Sequence, residues 1–359
     1  MDSSIVDRMR YFIDNYDVAY TYVHNIGEPQ YIEDPVEKVC RFCGKRYPEV
    51  SFKKKAHAIS EALGNKELVL RNECDNCNLE FGKLLEDELS KYMGLSRTIS
   101  QIHGKKGVPT YRSKDRKKRV EFDPEFGILI KEQVTEDDVE LDHNEFIEII
   151  DHTMIIHAVR DTYTPLAVYK AFVKIALSLL PYKYLPHFIE ATGWIKEHSH
   201  LITRFPELGQ YAHLIEGFIP GVPFIPLRAT GFIRKNDSIQ LPYYQFYLEF
   251  ANFSYQMAIP CPEKDHYLKE VSLIPVVGCD EQIELSEWWG LVEKGEKIEY
   301  EKFESEFRRY GRPVVKHIDL TNNQKVYDEP MDMALGFETF ERITSDSIQK
   351  IDDILKKKQ

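Results

Sequence analysis

The sequence lacks any uninterrupted apolar run of about 18 residues, which is the length that a helix needs to cross a bilayer. Its N-terminal region carries several acids and no apolar stretch of the signal-peptide type. These two absences argue against membrane association and predict a cytoplasmic protein. The chain also lacks a Walker signature, a nucleophile elbow and internal repeats, which argues against P-loop, serine-hydrolase and repeat architectures.

Cysteine is scarce, and its placement is uneven. Only six cysteines occur in 359 residues. Four of them form two C-x-x-C pairs, namely Cys40, Cys43, Cys74 and Cys77. In a reducing compartment such pairs are more often metal ligands than disulfides, and both spacings fit a tetrahedral zinc site. The other two, Cys261 and Cys279, are expected to be buried free thiols, with a disulfide between them as the alternative.

Acids outnumber basic residues overall, but one segment is strongly basic. The net charge of -12 argues against a protein that coats nucleic acid over its whole surface. Residues 105–119 nevertheless contain eight basic residues and a single acid, Asp115. The basic residues are Lys105, Lys106, Arg112, Lys114, Arg116, Lys117, Lys118 and Arg119. Such a strip can contact a phosphate backbone, and the alternative is a solvated linker.

The composition divides the chain into four parts, and a chain of this length is expected to form two or more domains. The parts are residues 1–38, 39–100, 101–135 and 136–359. The first predicts a short amphipathic helix, with Ile5, Met9 and Phe12 at helical spacing, and then an aromatic-rich extended piece around Tyr20 and Tyr22 that packs on a neighbour. The second contains the cysteine pairs, the third is a basic linker, and the fourth is a larger C-terminal domain.

Helices and antiparallel strands are both predicted in the C-terminal part. Thr164 and Pro165 are typical of a helix start, and apolar residues on most faces of the segment 165–180 predict a helix that is mostly buried. The other predicted elements are a loop at 104–119, helices at 142–160, 185–198 and 347–358, and strands between 218 and 277.

Between the cysteine pairs, the sequence predicts a β-hairpin followed by a helix. Strands are expected at 49–53 and 67–70, and a helix is expected from Cys77 to Gly94. Four thiolates saturate a tetrahedral zinc and leave no position for water, so a zinc here is structural. This ion would hold the hairpin against the helix, as in a treble clef, and bring His57 opposite Asn78.

These residues resemble the motif of the HNH endonuclease family, the ββα-metal class, in its four-cysteine zinc form. The family pattern is a C-x-x-C pair, a His before a Gly-rich turn, an Asn, and a second C-x-x-C pair followed directly by His or Asn. The matching segments, Cys40 to Cys43, His57 to Asn65 and Asn72 to Asn78, cover only a small part of the chain. The resemblance implies a treble-clef ββα-metal nuclease module. Together with the buried helix pair and the antiparallel strands predicted for the larger C-terminal α+β domain, it gives an α+β fold class.

The resemblance also implies roles for individual residues. His57 corresponds to the general base, which takes a proton from the attacking water. Asn78 corresponds to a ligand of the catalytic divalent ion, Mg²⁺ or Mn²⁺. Asn72 is the preferred middle Asn, which braces the loop that carries the His, and Asn65 competes for this role, although a Gly-Asn turn also explains it.

Two positions depart from the family pattern. Ala56 stands where the family commonly has a metal-binding Asp or His, and Ser60 replaces the usual Pro. Asp75 is close to Asn78 in sequence, and Glu86 lies eight residues further along the predicted helix. Eight helical residues separate Glu86 from Asn78, a rise of ~12 Å, which is too long for both to reach one ion unaided.

The resemblance implies a metal-dependent endonuclease that hydrolyses DNA phosphodiester bonds and uses structural zinc. Its C-terminal domain would have a recognition, regulatory or homo-oligomerisation role, with an activating ligand or protein as its partner. Proteins of this organisation are similar to bacterial phage-defence or restriction effectors. The alternative is a non-catalytic treble-clef zinc module that binds nucleic acid or a partner protein.

Overall fold

The computed structural model describes most of the chain. The described residues are 5–24, 27–132, 146–150, 153–198, 200, 206–218, 225–268, 271–276 and 314–336. They belong to two compact units, one formed by residues 1–133 with 160–329 and the other by residues 134–159 with 330–359. The domain boundaries expected from composition, at 38, 100 and 135, stay predictions.

Helices and strands both contribute to the fold, which confirms the α+β class. The helices are α1 (Ile5–Asn15), α2 (Asp75–Phe81), α3 (Asp87–Met93), α4 (Ser96–Ile99), α5 (Pro165–Leu179), α6 (Ile189–Ile195) and α7 (Pro262–Asp265). The strands are β1 (Tyr16–Val23), β2 (Gln30–Ile32), β3 (Leu68–Leu70), β4 (Tyr111–Arg112), β5 (Lys118–Asp123), β6 (Gly127–Glu132), β7 (Ile147–Ile150), β8 (Thr153–Val159), β9 (His213–Phe218), β10 (Ile225–Arg234), β11 (Tyr244–Ala251), β12 (Phe253–Ile259), β13 (Val314–Asp319) and β14 (Pro330–Gly336).

A six-stranded antiparallel sheet forms the centre of the larger unit, in the order β1-β10-β11-β12-β9-β13. Strands β10 to β12 confirm the prediction of antiparallel strands between 218 and 277. The edge strand β1 comes from the N-terminal segment, so the predicted extended piece packs on a distant part of the chain. Tyr20 of β1 lies directly over Gly231 of β10, where a Cβ atom would approach the tyrosine ring to 2.4 Å. Glycine at 231 therefore leaves the space that the ring occupies.

Helix α5 is the most deeply buried element of this unit. Every residue of Pro165–Leu179 is buried, including the lysines Lys170 and Lys174. Helix α6 packs beside it, with the rings of Tyr169 and Trp194 6.1 Å apart. The predicted helix at 165–180 is thus confirmed. The one predicted at 185–198 is shorter, because residues 182–188 form a 3-10 helix that leads into α6.

The predicted helix at 142–160 is wrong over its described part. Residues 147–150 and 153–159 form β7 and β8, which pair in a three-stranded sheet with the order β14-β8-β7. This sheet belongs to the smaller unit. The segment is rich in isoleucine, and β-branched side chains pack well on a pleated surface while losing rotamer freedom in a helix.

The basic segment is more ordered than the predicted loop. Strands β4, β5 and β6 form a small antiparallel sheet, so residues 111–112 and 118–119 of the segment are extended and paired. The predicted C-terminal helix at 347–358 and Cys279 lie outside the described residues. Within the described part of the chain, no helix combines the length and the apolar character that a membrane span requires.

Candidate functional site: a cysteine cluster beside a basic cavity

The four cysteines of the two C-x-x-C pairs converge on one point. The Sγ atoms of Cys40, Cys43, Cys74 and Cys77 all lie within 4.8 Å of one another. The distance between the Sγ atoms of Cys43 and Cys74 is 3.8 Å. Sulfurs placed tetrahedrally about a zinc at ~2.3 Å would be ~3.8 Å apart. The cluster therefore has the dimensions of a zinc tetrathiolate, and it indicates a structural zinc site.

The charge balance of the cluster also fits a cation. A hydrogen bond from Cys77 lowers the pKa of Cys40 to about 4. Burial raises the pKa of Cys74 to about 11, and the hydrogen bond to Cys40 raises that of Cys77 as well. Cys40 thus ionises readily, while burial of Cys74 and the hydrogen bond between Cys77 and Cys40 oppose ionisation of Cys74 and Cys77. A divalent cation would supply the charge that allows all four to act as thiolates.

The segment after the first cysteine pair does not form the strand predicted at 49–53. It is irregular and is held by Asp75, the first residue of α2. The Asp75 carboxylate accepts hydrogen bonds from the backbone N–H groups of Lys53 and Lys54, at 3.0 and 2.8 Å, and from the Ser51 hydroxyl at 2.5 Å. Asp75 therefore fixes this loop, and it does not line the cavity that lies beside His57.

The hairpin that carries His57 is short, and its second strand is β3. Ala58 N–H donates to the Leu68 carbonyl at 3.1 Å, and Leu70 N–H donates to the Ala56 carbonyl at 2.9 Å. His57 lies between these two bonds, opposite Val69 in an antiparallel bridge. The predicted strand at 67–70 is confirmed as β3, and the partner strand is reduced to the residues around His57.

A cavity of about 440 Å³ lies beside this hairpin. Its lining residues are Lys54, Lys55, His57, Glu61, Asn78, Glu86 and Lys105. His57 and Asn78, the two residues expected to face each other, therefore share one cavity. Lys105 is the member of the predicted basic strip that lines it.

The His57 imidazole is held in its neutral form. Its Nε2 lies 3.7 Å from Oε1 of Glu61, and its Nδ1 is buried without a hydrogen-bond partner among the described residues. Burial lowers the pKa of His57, and the carboxylate of Glu61 opposes this effect only in part. A histidine with a lowered pKa is uncharged at neutral pH, and it can accept a proton.

A π-helical turn places Glu86 on the face of the helix that carries Asn78. Residues 82–86 between α2 and α3 form this turn, and Asp87 N–H donates to the Gly82 carbonyl five residues earlier. Two turns of an α-helix contain about seven residues, and the π-helical turn adds one more residue. Residue 86 rather than residue 85 therefore lies over residue 78, and both side chains line the cavity.

The two candidate middle asparagines hold different parts of the chain. Asn65 is fully buried, and its amide donates to the carbonyls of Ile59 and Leu68, at 2.7 and 2.9 Å. Asn72 instead donates to Val36 and Val39, at 2.9 and 3.1 Å. The hydrogen bonds that brace the loop after His57 thus belong to Asn65, while those of Asn72 fix the segment before the first cysteine pair.

The basic strip is only partly directed at the cavity. Ion pairs engage three of its members: Lys114 with Asp328, Lys118 with Glu132 at 3.5 Å, and Arg119 with Glu121 at 3.3 Å. Lys106, Arg112, Arg116 and Lys117 are exposed and do not line the cavity. Among the residues of the basic strip, only Lys105 lines the cavity together with His57 and Asn78.

Sequence reasoning missed Lys54, Lys55 and Glu61 as members of the site. Lys54 and Lys55 also line a second cavity of about 730 Å³, which borders the first. The signal for Lys54 and Lys55 was the run of three lysines, 53–55, which Ala56 alone separates from His57. Glu61, four residues after His57, could have been recognised as a local partner of the imidazole.

Comparison with known proteins supports the family resemblance. Residues 40–93 match the model of an HNH endonuclease family, HNH_5. The match spans all four cysteines, His57 and Asn78, and it confirms the resemblance to HNH endonucleases in their four-cysteine zinc form. No curated protein and no solved structure matches the chain. The segment thus indicates a nuclease family.

The zinc site can be tested by replacing one ligand. We expect Cys77→Ser to lose bound zinc and to melt at a lower temperature, because metal binding contributes about 10–16 kcal/mol to folding in small zinc modules. Cys261→Ser is the matched control, since Cys261 is buried outside the cluster and donates to the His187 carbonyl at 3.4 Å. Metal content and thermal unfolding are the measurements. Stoichiometric zinc together with an unchanged melting temperature in the Cys77→Ser protein would contradict the assignment of Cys77 as a zinc ligand.

Proposed function

We propose that the chain is a metal-dependent HNH endonuclease that hydrolyses DNA phosphodiester bonds. The observation that carries the proposal is the cavity beside the family segment, the residues 40–93 that match the family model. The neutral His57, the Asn78 carboxamide and three lysines meet in this cavity, and Lys105 is the one lysine that comes from outside the segment. A treble-clef arrangement of the knuckle, hairpin and helix around structural zinc belongs to the same proposal.

His57 is the general base of the proposed reaction. Its imidazole takes a proton from a water molecule as the water oxygen forms a bond to phosphorus. The bond between phosphorus and the leaving 3′ oxygen then breaks, and that oxygen is protonated from solvent. Nδ1 is buried, so Nε2, which lies 3.7 Å from Oε1 of Glu61, is the nitrogen that accepts the proton.

The donor set of the cavity fits a hard divalent ion. Asn78 offers a carboxamide oxygen, and Glu86 adds negative charge on the same helix face. Asn78 would hold Mg²⁺ or Mn²⁺, which when bound would stabilise charge on the phosphate and on the leaving oxygen. Ala56 contributes no ligand to this set.

Substrate binding is assigned to the lysines of the cavity. Lys54, Lys55 and Lys105 present ammonium groups beside His57, where a phosphate backbone would be held by charge. Lys54 and Lys55 extend this contact into the larger neighbouring cavity. An anionic strand would thus be guided past the base, although the chain as a whole is acidic.

Other expectations from the sequence stay predictions. These are the role in phage defence or restriction, the cytoplasmic location, homo-oligomerisation, and control by a ligand or partner at residues 136–359. The plasmid-nicking experiment also tests the non-catalytic alternative, a zinc module that binds nucleic acid or a partner protein without cutting DNA.

Replacement of the base tests the enzyme directly. We expect the wild-type protein to nick supercoiled plasmid with Mg²⁺ or Mn²⁺, and His57→Ala to be at least about 100-fold slower, which is the usual contribution of a general base. Asn78→Ala should also be slow, because its ion ligand is lost. Asn76→Ala is the matched control, since Asn76 is exposed and does not line the cavity. DNA binding without nicking by the wild type, at full zinc content, would favour the binding module.

The pH dependence of cleavage tests the state of His57. A base must be unprotonated, so activity falls as the pH drops through its pKa. Because burial lowers the pKa of His57, the acid limb of kcat/KM should have its midpoint below 6.5. Glu61→Gln should move this midpoint further down, since the Glu61 carboxylate favours the protonated ring. A midpoint at or above 6.5 would contradict the assignment.

Salt dependence tests the contact with the phosphate backbone. In an inactive His57→Ala background, we expect Lys54→Ala/Lys55→Ala to reduce the slope of log Kd against log salt by about 2, one unit for each lost phosphate contact. Lys45→Ala/Lys183→Ala is the matched control, because these lysines are exposed and lie outside both cavities. Duplex binding by fluorescence anisotropy is the measurement. An unchanged slope in the first variant would remove these lysines from the substrate path.

A further inference from the structure

Lys174 is a buried cation that reaches the candidate site from outside the family segment. It lies on α5, and its side chain is only 1% exposed. Its Nζ donates to the His57 carbonyl at 3.1 Å and lies 3.2 Å from Oε2 of Glu73 and 3.5 Å from Oε1 of Glu86. All three partners belong to residues 40–93, whereas Lys174 does not.

The ammonium group has three donors and no acceptor; it donates hydrogen bonds to the His57 carbonyl and to Oε1 of Glu86, and its contact with Glu73 is an ion pair. Burial alone would lower the pKa of Lys174, but Glu73 and Glu86 raise it above its ordinary value. Lys174 is therefore charged, and two hydrogen bonds and one ion pair hold its ammonium group. Such a group orients its partners more strictly than an exposed lysine does.

Two of these partners belong to the cavity. The His57 carbonyl is part of the residue whose imidazole lines the cavity, so the bond to Lys174 fixes the backbone from which that ring projects. Glu86 also lines the cavity, and its second oxygen accepts a hydrogen bond from the Ser60 hydroxyl at 2.9 Å. Lys174 thus connects the hairpin and the helix of the candidate site.

The position of Lys174 is itself fixed by the family segment. At the end of α5, the buried Arg41 donates to the carbonyls of Leu177 and Ser178, each at 2.7 Å. At the start of α5, Thr164 N–H donates to Oε2 of Glu88 at 2.5 Å. Because residues of the family segment bind both ends of α5, the position of Lys174 relative to that segment is fixed.

We propose that Lys174 is a positioning residue of the nuclease site, which orients His57 and Glu86 from helix α5. This inference rests on the proposed function, since it assigns a role in the same reaction. It makes the catalytic geometry depend on a part of the chain that the family motif does not include. The family segment and the rest of the larger unit would then act as one structure.

The test compares three variants of the full chain with the wild type. Lys174→Met leaves Glu73 buried and without its partner, so it can lower stability for a reason unrelated to positioning. Lys174→Met/Glu73→Gln removes both charges and is expected to restore the melting temperature. Lys170→Met is the matched control, because Lys170 is equally buried one turn earlier on α5 but lies over the Trp194 ring.

We expect the double variant to keep zinc and the KM for plasmid, because the cavity lysines are unchanged. Its kcat should fall roughly 10- to 100-fold, since small misplacements of a catalytic group have effects of this size. Lys170→Met should keep the wild-type kcat. A double variant that regains both stability and wild-type kcat would overturn the proposal, because the role of Lys174 would then be structural only.

A spectroscopic readout separates this inference from the proposed function. The NMR signal of the His57 imidazole, assigned with His57→Gln, should shift in the double variant and stay in place in Lys170→Met. If the wild type cleaves no DNA, the proposed function fails and this signal still decides whether Lys174 positions His57. An unmoved signal in the double variant overturns the positioning role whatever the activity.

Discussion

The convergence of four sulfurs on one point is the constraint on which the candidate site depends. The segment between the cysteine pairs contains a three-residue strand, a hairpin with two backbone hydrogen bonds and a 3-10 helix of one turn, which is too little regular structure to fix a loop against a helix. Cysteines on both sides of the hairpin would join it to the start of α2 through one cation. The relative placement of His57 and Asn78 follows from that connection.

Helix α5 supplies the second constraint. Apolar burial places this helix between the six-stranded sheet and the family segment, and three polar contacts then fix it in register: Arg41 at its end, Lys174 in its middle and Glu88 at its start. Buried charges are costly unless they are paired, and here each has a partner. Such pairs contribute specificity of placement rather than net stability. A site that needs sub-ångström geometry benefits from that specificity.

The local parts of this arrangement could be predicted from the sequence, and the distant ones could not. The cysteine spacing, the helix start at Pro165 and the stop at Gly94 are local signals, and the structure bears out all three. The strands β7 and β8 were misread because runs of apolar residues do not separate a helix from a strand by period alone. Lys174 is 117 residues from His57, and no spacing rule links two residues across that distance. The π-helical turn that aligns Glu86 with Asn78 likewise has no sequence signature.

The charge of the cavity explains how an acidic chain could act on a polyanion. Three lysines face the cavity together with two carboxylates, Glu61 and Glu86, and Glu86 also lies 3.5 Å from the ammonium group of Lys174. The surroundings of His57 are therefore cationic although the chain carries a net charge of -12. At physiological salt, charges beyond about 8 Å are screened, so the distant acids weaken phosphate binding little while they oppose non-specific coating of DNA. The buried Ala56 fits this balance, because a third carboxylate beside the imidazole would favour its protonated form and would repel the phosphate.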